Sequence, residues 1–113
     1  MFLKDNYKFL LIYSSLVIIA FLLNFLIASR GLFPVDTFIH YDFGYRILLG
    51  DDPVKDYWIV HGFFIDYIQS FFFKLFGNNW YSYIIHSSVF NVLIAISSYQ
   101  IFKALKVNPI ISY

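Results

Sequence analysis

Between two strongly apolar runs, residues 35–53 read VDTFIHYDFGYRILLGDDP and gather Asp36, His40, Asp42, Arg46, Asp51 and Asp52. Lys55 and His61 follow shortly after. A positioned carboxylate can take a proton from a hydroxyl, and cationic side chains can hold an anionic leaving group. Asp36 and His40 are one helical turn apart, so a helix turns both to one face. Asp42 and Arg46 repeat that spacing with the acid first, the favourable order for an ion pair. Asp36, His40 and Asp42 also have the donor types of a metal site. At about 100° per residue, however, Asp42 points roughly 160° away from His40, so no metal site is expected from these three. Asp51 and Asp52 read as solvated turn residues.

The rest of the chain is greasy. Of 113 residues, 60% are hydrophobic and 13% charged, against about 25% charged in an ordinary soluble domain. Net charge is +1, which gives no footprint for nucleic acid or for an acidic substrate. There is no cysteine, hence no disulfide frame and no thiolate ligand. Mean hydropathy is +0.68, and aromatic residues make up 24% of the chain.

Two uncharged runs can position the cluster. Residues 9–28, FLLIYSSLVIIAFLLNFLIA, match the roughly 20 apolar residues needed to cross a bilayer. The run exceeds the apolar core of about 7–15 residues typical of a signal peptide and is followed by a poor cleavage site, so an uncleaved span is expected. Residues 80–102, WYSYIIHSSVFNVLIAISSYQIF, form the second span, opened by Trp80, Tyr81 and Tyr83 as an interfacial belt. Residues 1–8 hold Lys4, Lys8 and Asp5, and 103–113 hold Lys103 and Lys106 with no acid. The segment 29–79 holds Arg30, Arg46, Lys55 and Lys74 against six aspartates, so both tails are expected in the cytoplasm and 29–79 outside. Asn24, His86, Ser87, Asn91, Ser97 and Ser98 are polar within the runs. Such side chains turn from lipid toward protein, and two helices hide few of them, so further helices or a partner subunit are expected. For His86 an interhelical hydrogen bond is the expected role. The tail VNPIISY, residues 107–113, reads as a cytoplasmic turn leading toward a third span.

Within the outer segment, Pro34 biases Val35 toward an extended backbone. Asp36 can then start a helix of about 36–49 that ends at Gly50. Its stripe of Phe38, Tyr41, Tyr45 and Leu48 can lie on a bilayer interface. PVKDYWIVH, residues 53–61, reads as extended. A second interfacial helix of about 63–76 reaches roughly 22 Å, too short to span. Along it Asp66, Ser70 and Lys74 recur every four residues, a stripe expected to face solvent. The fold class is therefore an all-α membrane protein: two transmembrane helices joined by an outer loop with two interfacial amphipathic helices.

In this order the pieces VDTFIHYDFGYRILLGDDP, KDYWIVHGFFIDYIQSFFFKLFG and NNWYSYIIHSSVFNVL resemble the amino-terminal part of GT-C fold integral membrane glycosyltransferases. The branch is that of protein O-mannosyltransferases and lipid A aminoarabinose transferases, and the likeness covers residues 9 to about 102. It implies a fragment of a multi-span fold in a bacterial inner membrane, acting on a polyprenyl-phosphate-linked sugar among membrane lipids. The aspartate after the first span is the general base of such enzymes, which places Asp36 in that role. His40, Arg46, Lys55 and His61 become candidates for substrate contact, His61 standing near the position of a phosphate-facing lysine. Thr37 and Ile39 depart from the Glu and Arg that many members carry beside the base. The likeness implies no resident cofactor, although some members use a divalent ion, and no nucleic-acid partner. The alternative is a non-enzymatic two-span membrane subunit or scaffold.

Overall fold

A computed structural model describes residues 2–31, 36–59 and 61–107. The Pro34–Val35 entry and residues 108–113, expected to lead toward a third span, lie outside the described residues. The described chain is all-helical: α1 is Phe2–Ala28, α2 Asp36–Leu49, α3 Phe64–Phe76 and α4 Trp80–Ala104. Two of the helices are long and apolar enough to cross a membrane: α1 over Leu10–Ala28, with mean hydropathy 2.6, and α4, with mean hydropathy 1.4. The helix of α1 starts at Phe2 rather than residue 9. The apolar run marks the span, but nothing in Lys4, Asp5 or Lys8 stops the backbone from continuing its helix.

The chain divides into two compact units, residues 1–26 with 88–113 and residues 27–87. In the first, α1 and α4 are joined by polar and aromatic rungs. Asn24 Nδ2 donates to Ser88 Oγ at 3.0 Å, and Asn91 Nδ2 donates to Asn24 Oδ1 at 2.6 Å. Tyr13 meets Tyr99 edge to face at 5.6 Å. The expectation that Asn24 turns toward protein holds; its partners include Ser88 and Asn91, and Ser87 donates to the carbonyl of Ile84 in its own helix.

In the second unit α2 packs along α3. Helix α2 starts at Asp36, whose charge suits the positive end of the helix dipole. It ends where expected. Gly50 takes φ +104°, its N–H reaches the carbonyl of Ile47, and the N–H of Asp51 reaches that of Arg46, a glycine-closed C-terminus. Gly44 is buried on the α3-facing side, and Tyr41 packs edge to face on Phe73 at 4.8 Å. Tyr41 is thus half-buried between helices while Phe38 and Tyr45 stay exposed, so the expected interfacial stripe is only partly outward.

Two expectations are corrected here. The described part of 53–61, expected to be extended, opens on a turn: the carbonyl of Asp52 accepts from the N–H groups of Lys55 and Asp56, and Pro53 bridges Tyr57. The Asp56 carboxylate accepts from the backbone N–H of Asp52, so side-chain hydrogen bonding folds the turn. The stripe on α3 is turned inward as well. Asp66, Gln69 and Ser70 are buried with Phe73, whereas Phe64, Phe71, Leu75 and Phe76 are exposed. Of the three residues read as a solvated stripe, Lys74 alone is exposed.

Candidate functional site

The site is built from one turn of α2, one turn of α3 and the residue that leads into α3. Helical spacing sets His40 one turn after Asp36, and both line an open pocket of about 500 Å³ with Ile39 and His61. His61 reaches it from the loop: its ring lies 4.2 Å from that of His40 and stacks on Phe43 at 5.5 Å. Beneath the two imidazoles, Asp66 has no exposed surface. Its Oδ1 accepts from His61 Nε2 at 2.8 Å and lies 3.5 Å from His40 Nδ1. The side chains of His40 and His61 are 30% and 23% exposed.

The predicted residues divide into two groups. Asp36, His40 and His61 come together at the pocket. Arg46 and Lys55 do not line it. Arg46 pairs with Asp42 at 2.9 Å, as its spacing implies, lies 4.0 Å from Asp51 and stands over the Tyr57 ring at 5.6 Å. Lys55 is held by Asp52 within the turn. The hydrogen bond that Arg46 donates to Asp42, then the charge of Asp42, raises the guanidinium above its usual value, and the bond that Lys55 donates to Asp52, then that charge, does the same for Lys55. Both are occupied in local ion pairs, and Asp51 and Asp52 are partners in them rather than simply solvated.

The residue that sequence reasoning missed is Asp66. It carried a signal: an aspartate inside the aromatic run FFIDYIQSFFF is costly in an apolar setting and is therefore a site candidate by default. The donor set assembled by the fold also differs from the one weighed from the sequence. His40, His61 and Asp66 converge, and their donor atoms all lie within 4.8 Å of one another; Asp42 is turned to Arg46 instead.

A second polar contact links α3 to α4. His86 is buried, its Nδ1 meets Gln69 Oε1 at 2.5 Å, and its ring stacks on Phe72 at 5.1 Å. The expected role of His86, an interhelical hydrogen bond, is what the structure shows. Around the site, burial pushes the Tyr41 phenol up, with Tyr45 adding to it, and burial pushes Tyr57 up to about 12, with the charge of Asp66 adding.

Chemically, the pocket offers a solvent-facing carboxylate beside two imidazoles backed by a buried acid. Such a set can move a proton and hold an anionic oxygen or a cation. Comparison with protein-family models, curated proteins and solved structures gave no match.

Proposed function

We propose that this chain is the amino-terminal part of a GT-C type membrane glycosyltransferase that moves a sugar from a polyprenyl-phosphate donor to an acceptor hydroxyl with inversion. The observation that carries the reading is the exposed carboxylate of Asp36, at the start of α2, sharing one pocket with His40 and His61. The inward polar face and outward aromatic face of α3 add to it, because a helix with that arrangement suits apolar surroundings. A donor with its sugar at the membrane surface and its tail in lipid suits a pocket carried by helices of this kind.

In this reading Asp36 takes the proton of the acceptor hydroxyl as that oxygen attacks the anomeric carbon. The bond from that carbon to the phosphate oxygen breaks, and the lipid phosphate leaves with the electron pair. His40 and His61 are the groups placed to meet the phosphate side; Arg46 and Lys55, engaged elsewhere, are set aside. The membrane is the bacterial inner membrane, with the N-terminus cytoplasmic and residues 29–79 outside.

The test is transfer from a polyprenyl-phosphate sugar by membranes carrying the complete gene product. Asp36→Asn lowers the rate about 10²–10⁴-fold at unchanged expression, the usual range for loss of a general base. A rate near wild type removes the assignment. The same substitution separates the second reading, a two-span subunit favoured by the Asn24–Ser88–Asn91 bonds between α1 and α4. Such a subunit tolerates Asp36→Asn.

A further inference from the structure

The buried acid behind the pocket carries more than the hydrogen bond drawn to it. Asp66 has no exposed surface, yet among the described residues its Oδ2 has no hydrogen-bond partner, and neither has the buried Nδ1 of His40. The 3.5 Å between His40 Nδ1 and Asp66 Oδ1 is within ion-pair reach but does not make a hydrogen bond. A fully buried carboxylate needs a compensating positive charge and partners for both oxygens. One proton shared with His61 leaves part of that need unmet.

We propose that His40 Nδ1, His61 Nε2 and the Asp66 carboxylate form a binding site for a divalent ion of the zinc class. Zinc binds imidazole nitrogen and carboxylate oxygen at about 2.0–2.2 Å, which sets neighbouring donors about 3.3 Å apart in a tetrahedron. The separations from Asp66 Oδ1, 2.8 Å to His61 Nε2 and 3.5 Å to His40 Nδ1, straddle that value, and all the donor atoms lie within 4.8 Å of one another. The ion replaces the proton between His61 and Asp66, takes up the unused lone pair of His40, and supplies the charge that Asp66 requires. Two nitrogens and one carboxylate favour zinc and its transition-metal neighbours over magnesium or calcium, which prefer all-oxygen shells. Three protein ligands leave a position for water or for an oxygen ligand entering the pocket that His40 and His61 line. The ion also ties α2, the loop and α3 together at one point.

The site shares His40 and His61 with the transferase reading but does not depend on it, and its test needs no transfer activity. The tag-free full chain is purified in detergent, stripped with chelator and titrated with Zn²⁺, and with Co²⁺ as a visible-absorbing probe. One equivalent of Zn²⁺ binds and raises the thermal midpoint of the wild type, and Co²⁺ develops the absorption of a low-coordinate nitrogen and oxygen site. His40→Gln and His61→Gln each weaken Zn²⁺ binding at least roughly 100-fold, beyond the loss typical of outer-shell partners. Both positions are part-exposed, and retained helical circular dichroism confirms the fold of each variant. The proposal is overturned if Zn²⁺ leaves the wild-type midpoint unchanged, if both variants bind as tightly as wild type, or if Mg²⁺ binds in preference.

Discussion

Asp66 and Tyr57 illustrate how a single group in this loop is governed by burial rather than by residue type. Asp66 sits where charge is expensive, and the imidazoles of His40 and His61 are what the fold sets against it. Tyr57 has a hydroxyl buried with no hydrogen-bond partner among the described residues, and its ring lies against Phe43 and beneath Arg46. Removing an unsatisfied polar atom is close to neutral, so Tyr57→Phe changes stability by no more than about 1 kcal/mol at neutral pH, in the stabilising direction. Its pH effect is larger. The unfolded phenol ionises near 10.0, whereas the folded one holds its proton up to about 12. Stability is therefore unaffected below pH 10.0 and falls between pH 10.0 and about 12, where only the unfolded state loses this proton. Thermal unfolding of wild type and Tyr57→Phe across that window checks it: the variant loses less stability as pH rises.

At the scale of elements, the contact between α2 and α3 decides whether a site exists. A glycine inside a helix costs about 1 kcal/mol relative to alanine, so Gly44 needs a reason. The reason is close approach: a Cβ there would stand 2.5 Å from Cγ and 2.8 Å from Cβ of Gln69. Gln69 is itself fixed by His86, so it has little room to retreat. Gly44→Ala separates the two helices and costs about 1–3 kcal/mol, the usual range for overpacking, despite alanine's better helix propensity. A lowered unfolding midpoint, with faster hydrogen exchange in both α2 and α3, is the expected result. An unchanged midpoint would show that the helices do not approach this closely.

For the molecule as a whole, the pattern of burial is compatible with apolar surroundings. Among the described residues most of the buried side chains are polar, Asp66, Gln69, Ser70, Ser82, His86 and Ser88, and Pro53, Phe73 and Ile84 are buried with them. Leu22, Leu23, Ile94 and Phe71 stand exposed, a surface that suits lipid or further helices. The proposed sidedness can be read directly because the chain has no cysteine to interfere. In intact cells, a membrane-impermeant maleimide labels Trp58→Cys, and it labels Leu105→Cys only after permeabilisation. The reverse pattern would put Asp36 on the wrong face for an externally displayed donor.

The sequence alone determined the elements. Two uncharged runs long enough to span, an aspartate beginning α2 and a glycine closing it are local features, and backbone geometry translates them directly into helices. The pairs Asp36 with His40 and Asp42 with Arg46 were equally legible, because i, i+4 spacing is fixed within a helix. Only the tertiary structure decided which way α3 faces. Periodicity places Asp66 and Ser70 on one stripe but does not say whether that stripe meets water or protein, and the answer reverses when the surroundings are apolar. It also decided that His61 meets Asp66 while Arg46 and Lys55 turn to nearby carboxylates, since those pairings depend on the path of the loop and the packing of α2 on α3, neither of which residue spacing encodes.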